Sequence, residues 1–347
     1  MQDILEIEIS IAAVRHTNTM LSSLLSHPSN KGYSLALPST LPYAVPHTLV
    51  YGPAGTGKTT SINKALGLMG CSEDKNNLIR LTATTFKKPE ELVLYLSEKV
   101  SWKGYLCDKG KIDHTNCSNC KIVDYLNPRG PIEPFAIFID EIHELSPEMQ
   151  NALLLILNDF RYQITNKNNE VLDLRFPKFT LFGATTDPGL LIKPLRTRFK
   201  NKLVTNYYSD TEMISVVKNI GLKYNINLSN NSLDLIARCS QGIPREAVNL
   251  VEGLYQYSCY RREKDNTLTT YSDSLVHDFI SLKGFDNTGL HKDQKALLNF
   301  LSIKDTRGKL KTLGLSRILQ YFGWDKRRFL DEIEPRLISR GLIEVSS

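Results

Sequence analysis

The sequence predicts an α/β fold in which a parallel sheet is followed by two smaller helical units. From about residue 47 to 205, short apolar runs typical of buried strands alternate with segments whose apolar residues have helical spacing. One of these apolar runs leads directly into a glycine-rich loop. After about residue 209 the strand-like runs end and only the helical spacing continues. This order indicates a parallel α/β domain first and helical domains after it.

Composition and charge are typical of a soluble globular protein. The chain has 347 residues, of which 41% are hydrophobic and 23% charged, and a chain of this length suggests two or three domains. No run approaches the ~20 consecutive apolar residues of a membrane span, and the N-terminus lacks the basic run of a secretory signal. We therefore expect a cytoplasmic protein with no membrane partner. A net charge of +6 permits nucleic-acid binding without demonstrating it.

The spacing of apolar residues places the individual elements. The predicted strands are residues 47–51, 78–82, 135–140 and 179–184, and the predicted helices are residues 59–70, 89–99 and 147–159. Apolar and polar residues alternate weakly on both sides of a polar segment, and this pattern predicts a hairpin over residues 161–177. Near the N-terminus, residues 4–25 have helical spacing, and a loop rich in Ser, Pro, Asn and Gly follows them.

A complete phosphate-loop pattern follows the first predicted strand and opens the first predicted helix, which is the context that supports this motif. Glycines let backbone N–H groups turn inward around phosphates, and a helix N-terminus adds partial positive charge. Lys58 is placed to reach the terminal phosphates, and the Thr59 hydroxyl is placed to ligate Mg²⁺. The residues expected to bind ATP are Gly52, Pro53, Gly55, Thr56, Gly57, Lys58, Thr59 and Thr60.

An acidic pair, Asp140 and Glu141, ends the third predicted strand. We expect Asp140 to hold the Mg²⁺ shell, directly or through water. We expect Glu141 to orient and polarise the attacking water as a general base. The alternative is that the pair only caps the next helix, which is the minority interpretation beside a phosphate loop.

A loop-rich segment, residues 101–132, interrupts the alternation of strands and helices. It contains Cys107, His114, Cys117 and Cys120, and the spacing Cys-x6-His-x2-Cys-x2-Cys suits a closed tetrahedral site for structural Zn²⁺. A short segment with little apolar core would gain folding free energy from such a metal. The alternative is a set of unrelated free thiols. A redox pair is less favoured, because the two residues between Cys117 and Cys120 offer no activating charge.

Several further segments resemble the RuvB family of AAA+ DNA motors, in the same order along the chain. They are residues 140–147, 179–186, 189–191, 194–199, 241–245, 284–286 and 334–342. The resemblance implies an AAA+ P-loop domain with a parallel sheet, a helical lid and a C-terminal winged-helix domain. It also implies an ATP-driven motor that drives branch migration or unwinding of Holliday-junction or related DNA in recombination, repair or replication.

The resemblance assigns roles to residues outside the phosphate loop. Thr186 matches the position that senses the terminal phosphate or the attacking water, and Arg245 matches the nucleotide sensor of the lid. Arg198 matches the arginine finger, which acts on the nucleotide of a neighbouring subunit, with Arg196 as a nearby competitor for that role. A finger of this kind implies a homo-oligomer, a ring that shares its ATP sites between subunits.

The resemblance also divides the chain into domains. They are an N-terminal helix and loop (1–46), an AAA+ domain (47–207), a helical lid (208–283) and a winged-helix domain (284–347). In the last domain Lys326, Arg327 and Arg328 open a predicted second helix of a helix-turn-helix, where we expect contacts with the phosphates of branched or duplex DNA. Further basic residues lie upstream at Lys304, Arg307, Lys309 and Lys311. The family docks a junction-binding protein partner on the hairpin, here residues 161–177.

Two other functions stay open at this point. A clamp-loader-like or other partner-dependent AAA+ switch would need a protein partner for ATP hydrolysis. A protein-remodelling AAA+ subunit would be indifferent to nucleic acid. The DNA motor is favoured, because the resemblance continues past the ATPase core into residues 241–245, residues 284–286 and the last predicted helix.

Overall fold

The computed structural model describes residues 46–75, 77–102, 135–165, 171–176, 179–264, 271–302 and 313–345. The chain divides into two compact units, Met1–Thr205 and Asn206–Ser347. The predicted helix over residues 4–25 lies outside the described residues, and so does most of the cysteine-rich segment.

The first unit is built on a five-stranded sheet in the order β2-β3-β6-β1-β7, in which all neighbouring strands are parallel. Its elements in chain order are β1 (Thr48–Tyr51), α1 (Lys58–Leu68), β2 (Leu78–Thr82), α2 (Pro89–Trp102), β3 (Ala136–Asp140), α3 (Pro147–Asp159), β4 (Arg161–Thr165), β5 (Val171–Arg175), β6 (Thr180–Thr185), α4 (Lys193–Arg198) and β7 (Asn201–Val204). Strands β4 and β5 form a separate antiparallel pair.

Both faces of the five-stranded sheet are buried, which explains why its central strands read as continuous apolar runs. On β3, Ile137 and Ile139 point into one apolar cluster, which includes residues of α2 and α3. The alternate residues Ala136 and Phe138 point into a second cluster, which includes residues of α1. Because the side chains of a strand alternate between its two faces, both sets must be apolar.

The strands and helices predicted for the first unit are confirmed where the structure describes them, with small shifts at their ends. The helix over residues 147–159 is found with the predicted bounds, because Ser146 caps it by accepting a hydrogen bond from the Met149 N–H (3.3 Å) and Pro147 occupies its first turn. The predicted hairpin is found as β4 and β5, and its tip lies outside the described residues. Helix α4 and strand β7 were not predicted as separate elements, since both are short and largely polar.

The second unit is helical. Its elements are α5 (Asp210–Lys223), α6 (Asn230–Cys239), α7 (Pro244–Lys264), α8 (Asp273–Leu282), α9 (Lys292–Leu301), α10 (Leu315–Phe322), α11 (Lys326–Arg328), a π-helical stretch (Phe329–Ile333) and α12 (Glu334–Ser339). Helices α5 to α8 share one apolar core, which contains Met213, Val251 and Phe279. The later helices share another, which contains Leu297 and Leu337.

A buried pair of amides connects these two cores. Gln241, just before α7, donates to the Gln294 side chain on α9 (2.7 Å), and Gln294 donates back (3.0 Å). Gln241 also donates to the Gly289 carbonyl (3.0 Å). Arg336 on α12 donates to Gln241 (3.5 Å) and to Glu246 on α7 (3.4 Å). Because the Gln241–Gln294 pair is buried, it fixes the relative position of α7 and α9, and the partly buried contacts of Arg336 add α12 to the same arrangement.

Replacing Gln294 with alanine is expected to destabilise the second unit. The substitution leaves amide groups of Gln241, which is 5% exposed, without their reciprocal partner, and such a loss costs about 1–3 kcal/mol. The measurement is the free energy of unfolding in denaturant. The control is Lys292→Ala, two residues away and exposed, where a change within about 0.5 kcal/mol is expected. Equal effects of the two substitutions would contradict the role given to the amide pair.

Candidate nucleotide site

The loop between β1 and α1 turns sharply at three glycines. Gly52, Gly55 and Gly57 all have positive φ angles (146°, 77° and 94°). At Gly52 a side chain is also excluded by space, because a Cβ atom would lie 2.0 Å from the Thr205 carbonyl oxygen. The glycines of the phosphate loop are therefore required by the backbone path.

Thr205 supports this loop from the end of β7, although nothing in the sequence singled it out. Its hydroxyl lies 2.7 Å from the Thr56 hydroxyl, and Thr56 in turn donates to the Pro53 carbonyl (2.7 Å). Thr56 is 1% exposed. Since β1 and β7 are adjacent parallel strands, their carboxyl ends meet, and this places Thr205 against the loop.

Lys58 is the first residue of α1, and its side chain returns to the loop. Its ammonium group donates to the carbonyls of Gly52 (2.9 Å) and Pro53 (2.9 Å). The residue is 7% exposed. A buried cation held inside a ring of backbone groups can neutralise the charge of a bound phosphate.

Thr59 and Asp140 bring a hydroxyl and a carboxylate together beside the loop. The Thr59 hydroxyl lies 3.5 Å from an Asp140 carboxylate oxygen. The other Asp140 oxygen accepts from the Glu141 N–H (3.1 Å). A hydroxyl and a carboxylate beside a phosphate loop are the hard oxygen ligands that Mg²⁺ takes, so the residues present fit this ion. Thr60 follows on α1 and is exposed.

Glu141 and Thr186 lie together, because β3 and β6 are neighbouring strands. The Glu141 carboxylate accepts from the Thr186 N–H (3.3 Å) and from its hydroxyl (3.4 Å). The backbone of Glu141 is left-handed, with φ 47° and ψ 49°. For a residue other than glycine this conformation costs about 1–3 kcal/mol and is concentrated at functional sites.

His143 completes this cluster, although its spacing in the sequence indicates no role. Its Nδ1 atom lies 2.9 Å from the Thr185 hydroxyl and 3.3 Å from the Glu141 carboxylate. Its side chain is 9% exposed. The position of a histidine two residues after the acidic pair was visible in the sequence, but its contact with β6 was not.

Arg198 ends α4, outside this cluster. Within the described ranges no hydrogen bond or ion pair joins it to the phosphate loop or to Glu141. The start of α4 is held by Gln150, a buried residue of α3 that accepts from the Ile192 N–H (2.8 Å) and donates to the Leu190 carbonyl (3.3 Å). Arg198 is exposed, so it is available to a second copy of the chain.

His47, which precedes β1, lies near two basic residues at and beyond the end of α4. Burial, together with the charges of Lys200 and Arg198, lowers the pKa of His47 to about 4. The neutral ring accepts a hydrogen bond from the Leu181 N–H (3.0 Å). His47 therefore contributes to the sheet as an uncharged acceptor near neutral pH.

Arg245 lies in the second unit, exposed in the first turn of α7. The preceding residues Gln241 and Gly242 both have positive φ angles (50° and 74°). The Gly242 carbonyl accepts from the Tyr208 N–H (2.9 Å). The tight turn and the buried Gln241 give the start of α7 a fixed backbone from which Arg245 projects.

The predicted zinc ligands Cys107, His114, Cys117 and Cys120 lie outside the described residues, and zinc binding stays a prediction from spacing alone. Among the residues that are described, no group of three or more His, Cys, Asp or Glu side chains could hold a metal ion. Cys239 is buried, and burial raises the pKa of its thiol to about 12, which makes it unreactive.

In the part of the chain that the structure describes, every helix is too short or too polar to span a membrane.

The strand order and the position of these groups define the class of protein. A phosphate loop follows β1, an acidic pair follows β3, and a threonine follows β6, which lies between those two strands. Together with the helical second unit, this is the AAA+ type of P-loop fold, and the predicted fold class is confirmed.

The comparisons with known proteins identify the family. The model of the "Holliday junction DNA helicase RuvB P-loop domain" matches residues 132–204. The curated "Holliday junction branch migration complex subunit RuvB" of Nitratiruptor sp. is 30% identical over 301 residues, which cover 86% of this chain and 76% of that protein. The Helicobacter pylori subunit of the same name is 28% identical over 319 residues, 91% of this chain and 81% of that protein. The chain belongs to the RuvB family.

Solved structures agree with the fold. The Thermotoga maritima RuvB Holliday junction branch migration motor matches with a TM-score of 0.60 and 21% identity, over 87% of this chain and 82% of that chain. A variant of the same protein matches with a TM-score of 0.62 and 20% identity over the same shares. At this level of identity the likeness supports the architecture, including the winged-helix type of C-terminal domain.

Proposed function

We propose that this protein hydrolyses ATP and uses the energy to drive branch migration of Holliday-junction or related branched DNA. The curated relatives are named as subunits of a Holliday junction branch migration complex. One observation carries the proposal. Three groups lie at the same edge of the sheet: Lys58, the Thr59–Asp140 pair and the Glu141–Thr186 pair. A partner-dependent AAA+ switch is not favoured, since no relative named above carries such a description.

Each group at this edge has a distinct task in ATP hydrolysis. The backbone of the loop and the Lys58 ammonium hold the phosphates, and Thr59 and Asp140 would hold Mg²⁺, which neutralises charge on the phosphate oxygens. Glu141 orients a water molecule and accepts its proton. Thr186 donates to the same water or to the terminal phosphate, as its present contact with Glu141 suggests.

Arg198 is proposed to act in a neighbouring subunit. The guanidinium is exposed and has no contact with the nucleotide loop of its own chain among the described residues. A finger supplied in trans stabilises the charge that develops on the transferred phosphoryl group. This role requires a homo-oligomer with head-to-tail contacts, which closes into a ring if the rotation between subunits allows it. Arg245 would report the nucleotide state to the helices of the second unit.

DNA contact is proposed for the exposed basic residues at the start of α11. Asp325 caps this helix by accepting from the backbone N–H groups of Arg327 (2.8 Å) and Arg328 (3.1 Å). Lys326 and Arg327 are exposed. Arg328 also pairs with Asp293 and Glu332, so it is a weaker candidate for phosphate contact than the sequence suggested. Lys304, Arg307, Lys309 and Lys311 lie outside the described residues.

The proposal is tested by steady-state ATP hydrolysis with no DNA, with linear duplex and with a synthetic four-way junction. We expect the junction to raise the rate well above the DNA-free rate, because the motor does work only on a bound substrate. Glu141→Gln serves as the blank, since the amide cannot accept the proton of the water. A rate that is the same in all three conditions would contradict a DNA motor, and a rate equal to the blank would contradict the nucleotide site itself.

The proposal also includes a protein partner that binds the junction and a location in the cytoplasm.

A further inference from the structure

His143 lies between the end of β3, which leads to Glu141, and the end of β6, which leads to Thr186. None of the roles described above explains this position. It is in the single turn that follows Glu141 (Ile142–Glu144). Its ring reaches back toward β6, where the Thr185 hydroxyl lies 2.9 Å from Nδ1. The same nitrogen lies 3.3 Å from the Glu141 carboxylate. Nδ1 therefore contacts both Thr185, the last residue of β6, and the Glu141 carboxylate.

The contacts of Nδ1 decide where the ring carries a proton. If Nδ1 carried a lone pair, that lone pair would face a carboxylate oxygen at 3.3 Å, which is repulsive. A proton on Nδ1 is instead shared between the Glu141 carboxylate and the Thr185 hydroxyl. The other nitrogen, Nε2, lies 3.4 Å from the Glu144 carboxylate, which is 52% exposed and can turn into solvent. Nδ1 is therefore the ring nitrogen that is placed to donate toward Glu141.

Thr185 holds the His143 ring in place through its contact with Nδ1. Its side chain is fully buried, and its hydroxyl also accepts from the Asp187 N–H (3.0 Å). Its carbonyl accepts from the N–H of Gly52, the first residue of the phosphate loop (3.3 Å). The histidine is thus anchored to a residue that is itself hydrogen-bonded to the loop. The Glu141 side chain is 39% exposed, and the contact with His143 adds to the two hydrogen bonds from Thr186 in limiting its rotamers.

We propose that His143 is a positioning residue that holds the Glu141 carboxylate in the orientation needed to activate water. The inference rests on the proposed ATP hydrolysis and adds a residue to it. His143 acts only through Glu141 and touches neither the phosphate loop nor the Mg²⁺ ligands in the described contacts. Its removal slows the chemical step and leaves nucleotide binding in place.

The test compares three substitutions of His143 in the full-length protein. In asparagine the side-chain amide nitrogen occupies the place of Nδ1, in glutamine it occupies the place of Nε2, and leucine has neither. We expect His143→Leu and His143→Gln to lower kcat about ten- to a hundredfold, since a misplacement of about 1 Å can cost a factor of this size. KM for ATP should change little. His143→Asn should recover most of the rate.

Two controls separate positioning from a general structural effect. Glu144→Gln removes the charge that faces Nε2 and should leave kcat unchanged. His143→Leu should bind a fluorescent ATP analogue as tightly as the wild-type protein does, because His143 contacts neither the phosphate loop nor the Mg²⁺ ligands in the described contacts. Equal losses in the Asn and Leu variants, a weaker affinity for the ATP analogue in His143→Leu, or a His143→Leu rate within about twofold of wild type would each overturn the inference. If the leucine variant does not fold, the contrast between Asn and Gln still decides it. Absence of hydrolysis by the wild-type protein would instead reject the proposed function.

Discussion

Replacing Lys58 with alanine is expected to abolish measurable ATP turnover. The ammonium is the one side-chain cation that the described contacts place inside the phosphate loop, 2.9 Å from the carbonyls of Gly52 and Pro53. When a phosphate enters, the same group can turn from these carbonyls to the phosphate oxygens without leaving the loop. Loss of one such donor typically costs about 10²–10³ in rate, and the loss of its full charge should cost at least as much.

The control for Lys58→Ala is a second variant that removes a lysine from the same helix. Lys64→Ala removes a lysine from the exposed side of α1 and should keep the wild-type rate. Nucleotide binding is measured alongside turnover, with a fluorescent ATP analogue. Normal turnover by Lys58→Ala would show that the loop between β1 and α1 is not the ATP site.

Arg198→Ala is expected to lower ATP hydrolysis by about 10³-fold or more, which is the usual contribution of an arginine finger. Affinity for ATP should be nearly unchanged, because the finger acts on the transition state in a neighbouring subunit. The observations behind this expectation are that Arg198 is exposed at the end of α4 and that no hydrogen bond or ion pair among the described residues joins it to the loop of its own chain. Inactive subunits mixed into the wild-type protein should therefore reduce its rate more than in proportion to their share.

Arg196→Ala is the control for this second prediction. Arg196 lies on the same short helix, so its removal measures the effect of losing a neighbouring basic residue from α4. A larger loss in Arg196→Ala would move the finger to that residue. Full activity of Arg198→Ala, alone and in mixtures, would mean that the subunits do not share their sites.

The elements of the fold that the sequence could predict are those with a strong local pattern. Strand β3 is apolar up to Asp140, and α3 has a capping serine and a proline at its start, so both were placed correctly. The short α4 and β7 carry too few apolar residues to produce a periodic signal. Their existence depends on packing, through the buried Leu195 and the parallel pairing of β7 with β1.

The candidate site divides in the same way. The phosphate loop and the acidic pair are local motifs, and their residues could be named from spacing. Thr205 and Gln150 could not, because their contacts with Thr56 and Ile192 join residues that are distant in sequence. Those contacts depend on the order of strands and helices in the folded unit, which no spacing rule gives. His143 is intermediate, since its place in the motif was visible while its partner Thr185 lies on another strand.

We propose above that ATP hydrolysis at the β1–α1 loop drives movement of a DNA junction. The most direct measurement is the conversion of a labelled synthetic four-way junction into two forked duplexes by the wild-type protein and by Glu141→Gln, each with and without ATP. We expect conversion by the wild-type protein only when ATP is present, and none by Glu141→Gln. A wild-type protein that hydrolyses ATP at one rate regardless of DNA, and leaves the junction intact, would contradict it.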